Sequence, residues 1–441
     1  MDEEVRKKSL SYSVKDGIAW SVNSGIGSSY IAPYALALNA NNTQIGLLTS
    51  VPNLVASLSQ LETPKLMEKT SRKRMVTNCV LVQALTWLPI SLIAFLFLFS
   101  KVDSLIASML VILFYTIYLL MGSFLSPAWS SWMGDLVLKK ERGRFFGRRN
   151  TIVGIAGLSA MLFGALFLDI FKQSEVLFGF VTLFLIAMVA RLVSRYFLTK
   201  QYEPKFKYEH EYYFSFSSFV RKMKDNNFGR FTIYVTLMTL AVNLAAPFFT
   251  VYMLQAPPLG LGFSYLIFVA ITLSASVSTV LFMPLWGKFS DKYGNLRSLR
   301  ICGLFIPLVP ILWLFSADRV YLIIAEGVSG FFWAGFNLAS TNYIYDAVSK
   351  QRIGICFAYF GVLNGIGIFV GATLGGLFAT YINVGFMSTL LFLFLISGVM
   401  RLAVSVVMLP KLKEVRKVEP AKPLWYFMGD FIRKRLPPHS H

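Results

Sequence analysis

The sequence predicts an all-α membrane protein: twelve transmembrane helices arranged as two parallel six-helix repeats. Three observations predict it. The first is composition, since 56% of the 441 residues are hydrophobic and only 15% are charged, where a soluble chain carries about a quarter charged residues. The second is a recurrence of apolar runs of about twenty residues, each long enough to cross a ~30 Å hydrocarbon core. They begin near residues 16, 44, 75, 104, 151, 176, 230, 263, 298, 319, 353 and 384. The third is duplication. The stretch PLWGKFSDKYGNLRSLR, Pro284 to Arg300, has a near copy 223 residues earlier, PKLMEKTSRKR from Pro64 to Arg74. In that copy Lys65 matches Lys288, Glu68 matches Asp291, Lys69 matches Lys292 and Arg74 matches Arg297. Each stretch is a short charged turn that follows an apolar run.

Charge placement fixes the expected topology. With the N-terminus inside, 36 of the 42 Lys and Arg residues fall on its side, and the opposite loops hold only Lys101, Lys172 and Arg319. This is the positive-inside bias; it predicts cytoplasmic termini and a multi-pass protein of the plasma membrane. The net charge of +20 is thereby a topology signal, and no nucleic-acid partner is expected. The charged N-terminus MDEEVRKKSL leads straight into a full span, so no cleavable signal peptide is expected. Six spans return the chain to its starting side, so the halves share one orientation and form parallel repeats about an axis along the membrane normal. The expected organisation is a bundle over 1–200, a cytoplasmic connector over 201–229, a second bundle over 230–410 and a basic tail over 411–441.

Along the chain, the first span (Asp16 to Leu38) is polar and glycine-rich, and it carries Ala32-Pro33-Tyr34 where the seventh has Ala246-Pro247-Phe248. A proline inside a span frees a backbone carbonyl and bends the helix; small residues there also serve plain helix packing. The loop after the fourth span, Gly134 to Asn150, holds six basic residues. Its counterpart after the tenth matches Asp346 to Asp135 and Arg352 to Arg142. Each half thus has two acid and base turns on one side, read either as a clamp between the halves in one state or as topology anchors. Arg191 in the sixth span and Arg401 in the twelfth are 210 residues apart, each about 14 Å deep, and read as structural or loop-pairing groups. The connector and the tail mix aromatic and basic residues, as surface-lying segments do. The eleventh span is dense in glycine, from Gly361 to Gly376.

The pattern Gly287, Asp291, Gly294, Arg297 between two spans resembles the loop signature of the major facilitator superfamily of transporters. The first copy departs from it, with Pro64 for the leading Gly, Glu68 for Asp and Ser71 for the second Gly. The resemblance implies that the four loops take part in a conformational switch, which names Glu68, Arg74, Asp135, Arg142, Gly287, Asp291, Gly294, Arg297, Asp346 and Arg352 as a cytoplasmic gate motif. It also implies that spans one, four, seven and ten line a central cavity. No sugar-porter signature follows the sixth span, which ends in Tyr202-Glu203-Pro204.

Polar stripes fall on those four spans. In the tenth, Glu326 shares a helical face with Gly330, Trp333, Asn337 and Thr341, and lies roughly 10 Å below the outer surface. The matching face of the fourth holds Tyr115, Gly122 and Ser126. The first span adds Asn23, Gly27, Tyr30 and Tyr34, and the seventh adds Thr236, Thr239, Asn243 and Thr250. A carboxyl inside a membrane is a functional candidate by default. Glu326 reads as a proton-coupling group, as a partner for a cationic solute, or as a hydrogen-bonded structural acid. The expected substrate path comprises Asn23, Tyr30, Tyr115, Ser126, Asn243, Trp333 and Asn337, and its Tyr, Trp, Asn and Thr lining suits a neutral, weakly cationic or amphipathic solute.

Three cysteines without a CxxC pattern point to neither a disulfide framework nor a metal site. No GxxxxGK[ST] loop occurs, and His210, His439 and His441 all lie in the connector or tail. No cofactor and no enzymatic chemistry are expected. The expected function is secondary active transport of a small organic solute by alternating access, proton-coupled, in a monomer whose partners are the solute, protons and the lipid bilayer. The alternatives are an efflux antiporter for drugs or metabolites, and a non-transporting receptor or sensor on the same fold.

Overall fold

The computed structural model describes residues 3–100, 102–138, 141–171, 176–204, 215–349, 352–416 and 418–419. The middle of the connector and nearly all of the tail beyond 419, with His210, His439 and His441, lie outside the described residues, as do Lys101, Lys140, Lys172 and Lys350. Among the described residues the regular structure is helical throughout. The first half comprises α1 (Glu3–Ile26), α2 (Ile31–Ala37), α3 (Asn42–Ser59), α4 (Thr63–Lys69), α5 (Arg72–Phe99), α6 (Ser104–Leu136), α7 (Arg142–Ile170) and α8 (Val176–Lys200). The short α9 (Phe216–Arg221) follows in the connector. The second half comprises α10 (Asn227–Asn243), α11 (Ala246–Leu254), α12 (Tyr265–Tyr293), α13 (Asn295–Phe305), α14 (Leu308–Leu312), α15 (Arg319–Ala347), α16 (Ile353–Tyr381) and α17 (Thr389–Met408). Ten of these segments are long and apolar enough to cross a membrane; α1–α2 and α3 supply the two more polar crossings, making twelve.

Local chemistry sets the element ends. Pro33 and Pro247 cannot donate to the carbonyls four residues back, and the helix breaks just upstream of each. The first span ends at Ile26 and restarts at Ile31, while the seventh ends at Asn243 and restarts at Ala246. Side-chain caps start several helices: Asn41 forms a capping box with Gln44 on α3, Ser71 accepts from the Arg74 amide on α5, and Asp103 and Asp318 cap the repeat-related α6 and α15. The basic stretch after the fourth span differs from its expected form. Instead of a loop from Gly134 to Asn150, α6 runs on to Leu136 and α7 begins at Arg142. Arg142 donates to the Gly134 and Val137 carbonyls at 2.6 and 3.4 Å, and Arg149 turns into the bundle, so charge alone does not end these helices.

Contacts group the chain into two units. The first contains 1–210, 243–270 and 361–390, and the second contains 211–242, 271–360 and 391–441. In the first unit α1 packs on α7 and α8, and α5 packs on α6 and α8. A cluster of Met75, Val76, Cys79 and Val80 against Ala128, Trp132, Met133 and Leu136 forms its apolar core near the termini-facing end. At the end remote from the termini, α3 meets α16. Asn42 Nδ2 donates to the Ala379 carbonyl (3.1 Å), and Thr43 meets Thr380 through hydroxyl and amide (2.8 and 2.9 Å). One turn deeper, a Cβ on Gly46 would collide with the Ala372 carbonyl, so glycine is what permits the two helices to touch. In the second unit α13 packs on α15, with Trp286 and Phe289 of α12 fully buried. The three cysteines are buried and free.

Candidate functional site

At the termini-facing end, the acid that follows the fourth span of each half is tied to the start of the preceding span of that half. Asp135 takes Arg72 Nη1 at 2.6 Å, and Asp346 takes Asn295 Nδ2 at 2.7 Å. Arg72 and Asn295 are 223 residues apart, the offset of the duplicated loops themselves. A second pair repeats the arrangement. Glu203 accepts from the Lys73 amide (3.2 Å) and Glu414 accepts from the Leu296 amide (2.9 Å), so each caps the helix that begins after the signature loop. A third pair has Trp132 Nε1 donating to the Tyr202 carbonyl and the Tyr343 hydroxyl donating to the Lys413 carbonyl, both at 2.8 Å. The chain leaving each half is therefore strapped across its two signature loops.

The expected gate residues divide accordingly. Asp135, Arg142 and Asp346 have the partners given above, all inside their own half. Glu68, Arg74 and Asp291 are exposed, and among the described residues none of the three has an ion pair. Arg297 is half-buried, and a Cβ on Gly287 would only reach ordinary contact with Leu338. Gly294 has φ +93°, the left-handed region, and a Cβ there would strike the Glu414 carboxylate; the signature glycine is required by both conformation and cap. Arg352 is exposed just before α16. Arg72, Asn295, Glu203 and Glu414 went unrecognised in the sequence, although the 223- and 211-residue offsets pick them out.

Inside the membrane the two halves carry different charge clusters around the repeat-related arginines. In the first, Arg191 is 2% exposed. It donates to Gln83 Oε1 through Nε and Nη2 (3.0 and 2.5 Å) and to the Ser194 hydroxyl through Nη1 (3.0 Å). The Ser194 hydroxyl donates a hydrogen bond to Asp16 Oδ1 at 2.6 Å, and Arg149 Nη2 stands 3.8 Å from Asp16 Oδ2. Arg149 also donates to the Ser13 carbonyl (3.1 Å) and lies over the Trp129 ring. The sequence places Asp16 at the edge of a span and Arg149 at the end of a loop; both are buried cluster members.

In the second half the acid comes from a different helix. Glu326 on α15 is half-buried, accepts from Trp313 Nε1 at 3.1 Å, and feels Arg401 across the bundle. Arg401 donates to the Ser397 hydroxyl (3.0 Å), which in turn donates to the Ala241 carbonyl (2.5 Å). Tyr115, the repeat counterpart of Glu326, carries no charge and stacks on Tyr118 at 5.9 Å. Glu326 thus meets an indole, the Ser329 side chain and the more distant charge of Arg401 on a half-buried face, where Asp16 meets a hydroxyl and two guanidinium groups in full burial.

The remaining expected path residues scatter. Asn23 is fully buried, with Nδ2 on the Ala187 carbonyl (2.9 Å) and Oδ1 accepting from Tyr118 (2.7 Å). Tyr30 is fully buried and donates to the Met161 carbonyl. Both are spent on the neighbouring helices of their own bundle, because a polar stripe inside a membrane satisfies itself on nearby carbonyls when these are in reach. Tyr115 joins Asn23 through Tyr118. Ser126 and Asn337 are exposed, Trp333 and Asn243 half-buried. On α15 Glu326 and Trp333 are half-buried, Gly330 between them is buried, and Asn337 and Thr341 toward the termini-facing end are exposed.

The sequence profile of the Major Facilitator Superfamily matches residues 17–277 and 231–434. A vacuolar basic amino acid transporter of Saccharomyces cerevisiae is 30% identical over 108 residues, 24% of this chain and 19% of that protein. The multi-drug resistance efflux pump PmrA of Streptococcus pneumoniae is 29% identical over 155 residues, 34% of this chain and 36% of the pump. The chain therefore matches only a fifth to about a third of these relatives' length. Among solved structures, a mutant of the nucleoside transporter NupG superposes with a TM-score of 0.68 at 14% identity, over 91% of this chain and all of that one. A bacterial homologue of the human lysosomal transporter Spinster, inward-facing and occupied, gives 0.67 at 14% identity, over 99% of this chain and all of that one. At such identity the likeness carries the fold.

Proposed function

Because the chain belongs to the major facilitator superfamily, and is a multi-pass membrane transporter rather than an enzyme, we propose that it drives uphill movement of a small organic solute by alternating access, with Glu326 carrying the coupling proton. The observation that supports this reading is the contrast between the two intramembrane acids. Asp16 is enclosed by Ser194, Arg149 and Arg191, which tie it into the scaffold of its own half. Glu326 has the side chains of Trp313 and Ser329 as hydrogen-bond partners, no guanidinium within ion-pair distance among the described residues, and a half-buried place on the face that carries Trp333 and Asn337. Protonation of Glu326 cancels its attraction for Arg401, and solute or water arriving along the α15 face reaches it without dismantling a cluster. A proton thereby changes the local charge of the second half and leaves the first unaltered.

The proposed location is the plasma membrane with both termini inside, resting on the distribution of Lys and Arg, and the proposed unit is a monomer. A neutral or weakly cationic solute suits a path with one accessible acid. Similarity to a basic amino acid transporter and to a multi-drug efflux pump favours a cation among these, which keeps antiport of drug-like cations as the second reading.

The test uses reconstituted vesicles and a panel of basic amino acids, nucleosides and a lipophilic cation. Glu326→Gln should abolish accumulation driven by a pH gradient and retain counterflow, because exchange of bound solute needs no net proton movement. Normal accumulation by the variant refutes the coupling role. Selective loss of cationic solutes, with neutral ones still accumulated, replaces coupling by recognition.

A further inference from the structure

A cavity of about 750 Å³ opens on the termini-facing side of the second unit, between the end of α15, the start of α16 and the connector around α9. Lys222 and Arg352 line it together with Ser218 and Ser349, and Phe219 and Phe228 form its apolar wall. No carboxylate lines it among the described residues. Its amides are already used. Asn226 accepts from the Gly229 amide (2.7 Å) and donates to the Lys222 carbonyl (2.9 Å). Asn227 grips Lys413 through both side-chain atoms, at 2.7 and 3.1 Å. What remains to face a ligand is two cations and two hydroxyls, and among the described residues neither cation has an ion pair.

The duplication supplies an internal control. Arg142, the counterpart of Arg352, folds back on the carbonyls that end α6, at 2.6 and 3.4 Å. Arg352 occupies the matching place after α15, but no such bond holds its guanidinium among the described residues; only its backbone amide is engaged, on the Ser349 carbonyl at 2.9 Å. The same residue type serves as a helix stop in one half and stands in a cavity beside Lys222 in the other.

We propose that this cavity binds a phosphate-bearing anion, with Arg352 and Lys222 as its charge partners and Ser218 and Ser349 as neutral donors. A guanidinium matches phosphate oxygens two at a time, and charge-assisted bonds of this kind are the strong ones. The phenyl rings of Phe219 and Phe228 suit an apolar shoulder next to the phosphate. Two sources share that chemistry: the headgroup of an anionic phospholipid, reached from the bilayer surface on which basic side chains gather, and a soluble phosphate ester. The site lies away from Glu326 and stands whether or not Glu326 couples protons.

The experiment titrates the purified full chain in neutral detergent with short-chain phosphatidylglycerol, with phosphatidylcholine of the same chain length, and with inorganic phosphate, reading the rise in apparent stability that specific binding produces. Phosphatidylglycerol should stabilise the wild type more than phosphatidylcholine does. Lys222→Gln and Arg352→Gln should each shift the midpoint about tenfold upward, the loss of one charge-assisted bond, and Lys222→Arg should restore it. An equal response to inorganic phosphate assigns the soluble source, and its absence assigns the lipid. The proposal is overturned if both Gln variants respond as the wild type does, or if chloride at matched ionic strength reproduces the effect. Lys222 is exposed, so its variants fold and keep the test decisive should Arg352→Gln fail to.

Discussion

Asp16→Asn is the sharpest perturbation of the first-half cluster. That cluster holds two guanidinium groups, Arg149 and Arg191, and one carboxylate, so it already carries one unbalanced positive charge. Removing the carboxylate leaves two buried cations facing each other. At the 3.8 Å separation of Arg149 from Asp16, the lost attraction is worth ~4 kcal/mol at an effective dielectric of about 20. Breaking a buried pair from one side typically costs about 3–5 kcal/mol. Arg149→Gln is a different case. It loses the same attraction to Asp16, with the bond to the Ser13 carbonyl and the contact with the Trp129 ring, but it removes the unbalanced positive charge and leaves Asp16 with Arg191 through Ser194 as a neutral cluster, so the net cost should be the smaller, about 1–2 kcal/mol. The double variant returns the cluster to one net positive charge, so its cost should fall below the sum of the singles.

The assay is apparent Tm in detergent at one scan rate and one pH. Taking roughly 2 °C per kcal/mol for a long chain, Asp16→Asn should lower Tm by about 6–10 °C and Arg149→Gln by about 2–4 °C. The charge inventory is refuted if Asp16→Asn stays within about 1 °C of wild type, or if the double variant loses the full sum.

Two further outcomes are expected. Gly46→Val, which places a branched side chain against the Ala372 carbonyl, should hold α3 and α16 apart and raise the reactivity of a cysteine at Thr43 toward a water-soluble maleimide; unchanged reactivity would show that this contact does not close the remote end. In intact cells, single cysteines at Asn42 and Pro258 should label from outside, and one at Glu141 only after permeabilisation; external labelling at Glu141 would reverse the topology inferred from Lys and Arg.

Much of the fold was legible because its signals are extensive. Twelve apolar runs and a repeat at constant offset survive local irregularity, and the proline breaks before Ile31 and Ala246 follow from one missing N–H each. The ends of α1 and α7 were less legible. A helix leaving the membrane stays helical while its charges find partners, as Arg149 does with Asp16 and the Ser13 carbonyl. The polar face of the first span pointed to a cavity, yet Asn23 and Tyr30 turn into their own bundle. Within lipid, a polar side chain meets the same demand by reaching a neighbouring carbonyl as by facing water, and sequence periodicity does not tell the two apart.

The duplication separates scaffold from function more sharply than periodicity does. Where both halves repeat the chemistry, the structure finds the residue holding its own half together: Asp135 and Asp346 brace the start of the preceding span, Glu203 and Glu414 cap the same helix starts, and Arg191 and Arg401 each grip a serine hydroxyl. A group that duplication keeps in both halves serves what both halves need, which is to stay folded while the chain cycles. Where the halves disagree, that common need is absent. Tyr115 stacks on a neighbour while Glu326 places a carboxylate on a half-exposed face, and Arg142 closes a helix while Arg352 stands in a basic cavity. An intramembrane charge is costly unless paired, and Glu326 is not required to balance a first-half copy of itself. Its retention is therefore best accounted for by what it does during transport, which is why Glu326→Gln, rather than any signature-loop variant, is the experiment that decides the coupling.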